Sequence, residues 1–146
     1  MKNLSICIPS NRKLPDSQRS LDSALTFSSQ RPDCEVSISD NSNDRAKFEK
    51  YSAINNQNTK YATCDFDEVN NWRNAAIKST GKYIGIMADD DFLLALGPGK
   101  ILEDGNNTIG HRPNFAVWEK DKGITHVTNF AIAGKTAKER VEIYFQ

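Results

Sequence analysis

Three consecutive carboxylates, Asp89, Asp90 and Asp91, follow the apolar stretch at residues 83–87. That stretch predicts a short buried strand, and the aspartates come where it ends. Because adjacent carboxylates repel one another, a cation would stabilise the cluster, and hard oxygen ligands suit Mg²⁺ or Mn²⁺, which also bind phosphates. The simpler interpretation is a solvated acidic turn. Open α/β sheets, however, bind ligands at the carboxyl ends of their strands, which favours a metal site here.

Composition limits what the chain can be. At 146 residues it suits a single domain with one core. Its 19 basic and 19 acidic residues balance, which gives no support to nucleic acid as the main partner. No apolar run approaches the roughly 18 residues that span a bilayer, so we expect no transmembrane segment. The three cysteines lack metal-ligand spacing, and for Cys7 and Cys34 we expect core packing in a reducing cytoplasm.

Strand and helix signals alternate along the first part of the chain. Pro9 is expected to end the first strand, and Gly81 to end the last helix. The order of elements argues for an α/β fold, with a mostly parallel central sheet and helices on both faces. The predicted elements are a strand at 4–8, a helix at 16–29, a strand at 36–38, a helix at 46–54, a short strand at 60–62, a helix at 67–80 and a strand at 83–87.

The helix predicted at 67–80 has an amphipathic pattern. Val69, Trp72 and Ala76 fall on one side, with Ala75 beside them, which predicts the face that packs against the sheet. We therefore expect Trp72 in the core rather than as a stacking platform for a ligand.

A parallel sheet brings three of the predicted loops to one edge. They begin at Pro9, at Asp40 and at Asp89. A carboxylate in the second loop can accept a hydrogen bond from a base or ribose, and the later aspartates can hold a metal against a diphosphate. Arg73, on the preceding helix, can reach the same crevice as an anion or base partner. The pattern indicates metal-assisted chemistry on a nucleoside diphosphate, and without a Walker-type loop phosphate binding falls to the cation.

Four motifs occur in order along residues 3–94. They are Leu4-Ser5-Ile6-Cys7-Ile8-Pro9-Ser10-Asn11-Arg12, then Ser39-Asp40-Asn41-Ser42, then Trp72-Arg73-Asn74-Ala75-Ala76-Ile77 ahead of Gly81-Lys82-Tyr83-Ile84, and finally Asp89-Asp90-Asp91. Together they resemble family 2 glycosyltransferases of the nucleotide-diphospho-sugar transferase (GT-A, Rossmann-like) fold. The resemblance implies a nucleotide-sugar donor, an inverting transfer and a Mn²⁺ or Mg²⁺ ion.

The resemblance also implies roles for particular residues. Ser10 stands where the family often has an aromatic residue that stacks on the base, so a UDP-sugar is only the default donor. The implied nucleotide-sugar contacts are Pro9, Ser10, Asn11 and Arg12 in the first loop, Asp40 as the reader of the base, Arg73 on the nucleotide and Asp89 on the ribose or sugar. Asp90 is implied as the principal metal ligand and Asp91 as the other candidate ligand.

The last third of the sequence is short for this family. Residues 1–94 are expected to form the donor-binding core of a single domain at 1–146, and 95–146 an incomplete acceptor side. A helix near 98–109 and strands near 115–118 and 124–132 are predicted there. Inverting transfer needs a general base, and the pattern selects none of the candidates, which are Glu103, Asp104, Glu119, Asp121, Glu139 and Glu142.

The first functional hypothesis is an inverting glycosyltransferase in cell-surface polysaccharide synthesis. It would use a saccharide or lipid-linked acceptor, in the cytoplasm or at the inner face of the membrane. The alternative is a nucleotide-sugar-binding module without transfer activity. The third hypothesis is a Mg²⁺-dependent phosphotransferase or phosphatase that uses the acidic cluster. Such enzymes with an aspartyl nucleophile carry it directly after the first strand. Pro9-Ser10-Asn11 occupies that place, which counts against it.

Overall fold

The computed structural model describes residues 2–93, 116–119 and 121–127. The chain forms two compact units, Met1–Leu102 and Glu103–Gln146. The first unit contains, in chain order, β1 (Leu4–Ser10), α1 (Gln18–Ser29), β2 (Cys34–Asp40), α2 (Arg45–Ser52), β3 (Thr59–Thr63), α3 (Glu68–Ile77) and β4 (Tyr83–Ile86). In the second unit, β5 (Ala116–Glu119) and β6 (Gly123–Val127) pair as an antiparallel hairpin.

The four strands of the first unit form one sheet in the order β3-β2-β1-β4. All three pairings are parallel, with Leu4 opposite Cys34 and Tyr83, and Val36 opposite Thr59. The predicted α/β fold with a parallel sheet is therefore confirmed for the four strands of the first unit. This arrangement places the ends of β1, β2 and β4 at the same edge of the sheet.

One face of the sheet is apolar and packs against α1 and α2. Its strand residues alternate along β1 and β2, as the period of a strand requires. Leu21 and Ala24 from α1 and Tyr51 from α2 cover them, and these side chains are all buried. The main strand residues of this core are Ile6, Ile8, Val36, Ile38 and Tyr61.

The opposite face of β1 and β2 is polar, and we call it the serine face. Its members are Ser5, Cys7, Glu35, Ser37 and Ser39, all buried. Helix α3 covers this face with small and polar side chains. Asn71 and Ala75 are buried, and the Asn74 amide donates to the hydroxyl of Ser39 at 2.6 Å.

The predicted packing face of α3 is therefore wrong for Val69 and Trp72, whereas Ala75 is buried as predicted. Val69 is 62% exposed and Trp72 is 43% exposed, while Ala76 is only partly buried. A polar sheet face accepts hydrogen-bonding side chains from the helix above it, so the apolar stripe of α3 turns outward.

Two strand predictions also need correction. Pro9 does not end β1, which continues to Ser10. Because β4 pairs with β1 only as far as Cys7, Pro9 lies where β1 has one neighbouring strand, and its missing N–H is tolerated there. The last strand is not buried, because Ile84 is 52% exposed and β4 is an edge of the described sheet.

The turn before β4 is packed against the start of β1. A Cβ on Gly81 would lie 2.5 Å from the hydroxyl oxygen of Ser5 and 2.6 Å from its backbone nitrogen, so only glycine fits. Glu35 links this turn to β1 by hydrogen bonds. Its carboxylate accepts hydrogen bonds from Ser5 at 2.7 Å and from the backbone N–H and hydroxyl of Thr80.

The cysteines of the sheet are buried, as expected. Cys7 and Cys34 have no exposed surface, and burial is the main cause that raises the pKa of each thiol to about 11. Both are therefore neutral thiols at physiological pH.

In the second unit, β5 and β6 match the predicted strands near 115–118 and 124–132 as far as the structure describes them. The predicted helix near 98–109 lies outside the described residues. Of the general-base candidates, Glu119 ends β5 and Asp121 is exposed in the turn after it, while the other four lie outside those residues. Across the described part of the chain, no helix combines the length and apolar character needed to cross a membrane.

Candidate functional site

Asp89 ties the loop after β4 to the loop after β1. One oxygen of its buried carboxylate, Oδ2, accepts three hydrogen bonds from the first loop. The donors are the hydroxyl of Ser10 at 2.6 Å and the backbone N–H groups of Asn11 at 3.0 Å and Arg12 at 2.9 Å. Hydrogen bonds to a charged acceptor are stronger than neutral ones. These hydrogen bonds therefore hold the loops after β1 and β4 together at the carboxyl edge of the sheet.

Arg12 lies over the acidic triplet. Its Nη2 is 2.6 Å from Oδ2 of Asp90, and its Nε is 3.4 Å from Oδ1 of Asp89. About half of the Arg12 and Asp90 side chains is exposed, and Asp91 is also exposed. The guanidinium therefore supplies positive charge that partly offsets the repulsion among the aspartates.

A buried lysine lies beneath this loop. The Lys47 side chain has no exposed surface. Its Nζ donates to the hydroxyl of Ser10 at 2.5 Å, to the carbonyl of Arg12 at 2.7 Å and to Oδ1 of Asp40 at 3.0 Å. Sequence reasoning missed this residue because lysine is rarely fully buried. The available signal was its place four residues before the buried Tyr51 on the same face of α2.

Asp40 is buried under the site rather than open to it. Its Oδ1 accepts from Lys47 and from the backbone N–H of Ser42 at 3.0 Å, and its Oδ2 accepts from the hydroxyl of Tyr61 at 2.5 Å. Burial, and then the bond to Asp40, raises the pKa of Tyr61, so the phenol is a donor at neutral pH. Both carboxylate oxygens are thus engaged by the protein. A base-reading role for Asp40 stays a prediction, and this geometry does not favour it.

A cleft of about 200 Å³ opens at this edge of the sheet. Its walls come from the three loops after β1, β2 and β4 and from α3. Pro9 and Arg12 line it from the first loop, Asn41 from the second and Asp90 from the third. The indole of Trp72 completes the lining from α3, with Asn71 beside it.

Asn71 connects α3 to the first loop. It is buried, its amide donates to the carbonyl of Ser10 at 3.4 Å, and its Oδ1 accepts from the thiol of Cys64 at 3.3 Å. Sequence reasoning missed Asn71 and expected core packing at Trp72. The signal for the actual face was the spacing of Asn71, Asn74 and Ala75 opposite strands rich in serine.

The predicted site residues separate into three groups. Most of the first loop and the aspartate turn reach the cleft, two residues are buried beneath it, and two are exposed and do not line it. The cleft residues are Pro9, Asn11, Arg12, Asp89 and Asp90, the buried ones are Ser10 and Asp40, and the remaining two are Arg73 and Asp91.

The donor groups for a metal are the exposed carboxylates of the aspartate turn. Asp90 and Asp91 offer hard oxygens, which fit Mg²⁺ or Mn²⁺, although Arg12 already pairs with Asp90. Asp89 is occupied by its three hydrogen bonds. Within residues 2–93, 116–119 and 121–127, no three His, Cys, Asp or Glu side chains are grouped so as to hold a metal ion by themselves. Waters or the oxygens of a bound diphosphate can supply the remaining ligands of a metal ion here.

The chain matches no protein-family model, no curated protein and no solved structure. The resemblance to family 2 glycosyltransferases consequently depends on the four motifs and their order, and it stays a prediction.

Proposed function

We propose that this chain binds a nucleoside diphosphate sugar in the cleft and belongs to an inverting, metal-dependent glycosyltransferase. The observation that carries the proposal is the convergence of three loops and an exposed indole on one cleft, at the carboxyl edge of a parallel sheet. Ligands of open α/β sheets bind at such an edge.

The lining of the cleft combines two kinds of group. Trp72 presents an aromatic surface on which a base can stack, and Pro9 and Asn41 lie in the same lining. Asp89, Asp90 and the guanidinium of Arg12 are its charged groups. A nucleoside diphosphate needs both kinds of group, one for a planar base and the other for phosphates and their metal ion. This match supports a nucleotide rather than a simple sugar as the primary ligand.

The charged residues of the site would bind the diphosphate, which is the leaving group of the transfer. Asp90 and Asp91 would hold Mn²⁺ or Mg²⁺, and the ion would stabilise the negative charge of the departing diphosphate. Once the guanidinium of Arg12 separates from Asp90, it is placed to bind a phosphate oxygen. In the transfer, the acceptor oxygen bonds to the anomeric carbon as the bond from that carbon to the diphosphate oxygen breaks. The electron pair leaves with the diphosphate, and the hydroxyl proton goes to a general base.

The remaining features of the proposal come from the resemblance. They are a UDP-sugar as the default donor, a saccharide or lipid-linked acceptor, and a role in cell-surface polysaccharide synthesis. Residues 1–94 would bind the donor and 95–146 would contribute to the acceptor side. The site of action would be the cytoplasm or the inner face of the membrane.

Calorimetric titration tests the proposal. UDP, GDP, dTDP and CDP are titrated into the whole chain with and without Mn²⁺, and the corresponding nucleosides serve as controls. Metal-dependent binding of one diphosphate, with weaker and metal-independent binding of its nucleoside, supports a donor site and names the base. If none of the four diphosphates binds under either condition, the proposal is wrong.

A second measurement separates the enzyme from a binding module. The nucleotide-sugar that carries the preferred base is incubated with the chain, Mn²⁺ and candidate acceptors, and the release of free nucleoside diphosphate is followed. Release that depends on the acceptor supports transfer. Tight binding without release would indicate a nucleotide-sugar-binding module instead.

A further inference from the structure

Lys47 uses its full capacity for hydrogen bonding inside the protein. An ammonium group has three donors, and the three acceptors around Nζ are Ser10, Arg12 and Asp40 at 2.5–3.0 Å. The side chain has no exposed surface. Removing a lysine from water is costly unless it is paired and fully hydrogen-bonded, as it is here.

Asp40 supplies the opposite charge. Its side chain is 1% exposed. Besides Lys47, its carboxylate oxygens accept hydrogen bonds from the hydroxyl of Tyr61 and the backbone N–H of Ser42. Tyr61 belongs to β3 and Ser42 to the loop after β2. The carboxylate therefore anchors the ammonium of Lys47 to β3 and to the loop after β2.

The ammonium in turn holds the first loop. The carbonyl of Arg12 accepts from Lys47 while its N–H donates to Asp89, so the peptide groups on both sides of this residue are fixed. Ser10 accepts from Lys47 and donates to Asp89. A continuous series of hydrogen bonds thus runs from Asp40 through Lys47 and Ser10 to Asp89, across all three loops that form the cleft.

We infer that Lys47 is a positioning residue for the cleft, and that Asp40 acts through it instead of contacting the base. The pair holds Asn11 and Arg12 at the cleft wall in the orientation that a ligand meets. The identity of that ligand rests on the proposed function, whereas the positioning of the loop does not.

Backbone hydrogen exchange measures the positioning directly. In Lys47→Met, the amides of Asn11 and Arg12 lose the support of their loop and exchange at least tenfold faster. The amide of Val36 in β2, which donates to the carbonyl of Asn58 just before β3, keeps its rate. The matched control is Lys50→Met on the same helix, because Lys50 pairs with Asp22 at 2.8 Å and touches neither loop amide. The inference is overturned if the two loop amides keep their parental rates, or if all three amides accelerate by the same factor.

The double variant Asp40→Asn with Lys47→Met serves if the single variant fails to fold. Removing one member of a buried ion pair leaves an unpaired charge, whereas removing both does not. We expect the double variant to fold, and its Asn11 and Arg12 amides to exchange at least tenfold faster than in the parent chain. Parental exchange rates at these amides in a folded double variant would refute the role of Lys47.

Nucleotide titration distinguishes positioning from base reading. In the double variant, the affinities for UDP, GDP, dTDP and CDP should fall by a common factor. The loop that carries Asn11 and Arg12 is displaced, whereas Trp72, the proposed stacking surface for the base, is unchanged. A changed order of preference among the four would restore Asp40 as the base reader. If the parent chain binds none of them, the proposed function fails, and the exchange experiment still decides the role of Lys47.

Discussion

Nη2 of Arg12 lies 2.6 Å from Oδ2 of Asp90 at the rim of the cleft. The carboxylate that we propose as the principal metal ligand therefore already has a cationic partner in the protein. A divalent ion has to share Asp90 with Arg12 or displace it. Since the pair is half exposed, it contributes no more than about 1 kcal/mol, which a divalent ion can overcome.

Asp90→Asn should remove the metal dependence of nucleotide binding. The amide keeps the shape of the side chain but loses the negative charge that a hard cation requires. Because the substitution removes only a half-exposed ion pair, the free energy of unfolding should change by no more than about 1 kcal/mol. Titration with the preferred diphosphate and Mn²⁺ measures the effect, and the exposed Asp16→Asn in the loop before α1 is the control. Undiminished Mn²⁺-dependent affinity in Asp90→Asn would remove Asp90 from the metal site.

Arg12→Gln should raise the affinity for Mn²⁺ in the absence of nucleotide. The substitution frees Asp90 and removes a nearby positive charge, and the strength of an exposed pair limits the gain to about fivefold. Electron paramagnetic resonance of free Mn²⁺ measures the binding. Lys13→Gln removes the same charge from the next position in the loop and is the matched control. An affinity no higher than that of the control would mean that Arg12 and the ion do not compete.

Trp72→Ala should weaken nucleotide binding by about 1–3 kcal/mol, the usual contribution of an aromatic side chain on which a base stacks. Val69→Ala on the same helix is the control, because Val69 is also exposed but does not line the cleft. Calorimetry gives both affinities. Equal affinities for the two variants would exclude the indole as the base platform.

Gly81→Ala should destabilise the fold by about 1–3 kcal/mol, the range found for an overpacked site. The new Cβ would lie 2.5–2.8 Å from atoms of Ser5 and Leu4, two of them in the backbone. Gly85→Ala is the control, because the nearest atom to its Cβ is 3.8 Å away. Urea denaturation compares the two. Equal stability of the variants would contradict the packing of the turn against β1.

Glu35 should make the stability depend on pH. Burial acts to raise the pKa of this carboxyl, but the hydrogen bonds from Ser5 and Thr80, with the charge of Lys60, outweigh it and lower the pKa below the usual 4.5. A carboxyl with a lowered pKa in the folded state stabilises the protein fully above its unfolded pKa, and this contribution is lost as pH falls through the folded pKa.

The variant Glu35→Gln should therefore be less stable than the parent at neutral pH, with a difference that narrows as pH falls below about 4.5. Urea denaturation at several pH values measures that difference, and the exposed Glu49→Gln is the control. A difference that stays constant down to about pH 3 would contradict the lowered pKa.

Much of the fold could be predicted from the sequence, because local patterns determine its elements. The apolar alternation of Ile6, Ile8, Val36 and Ile38 describes a real sheet face, and the order of elements implies parallel pairing. The face of α3 could not be predicted in the same way. An apolar stripe predicts the buried side of a helix only where the surface beneath it is apolar, and here that surface is the serine face.

The position of the candidate site could be predicted from the sequence, but the exposure and the hydrogen-bond partners of its residues could not. The loops after β1 and β2 and the aspartate turn after β4 do meet at the cleft. Whether a given carboxylate faces solvent or protein depends on a partner that is distant in the sequence. Asp40 is turned inward by Lys47 on α2 and by Tyr61 on β3, and neither residue belongs to a motif that marks the site.

The buried pair of Asp40 and Lys47 has a consequence for how this sequence can diverge. A change at one position leaves an unpaired charge in the interior, whereas a simultaneous change of both to neutral residues does not. We expect related chains to keep the two charges together or to lose them together, and Tyr61 to be retained only beside an acceptor at position 40. We therefore expect inheritance at these two positions to be coupled, although they lie on different elements and neither one lines the cleft.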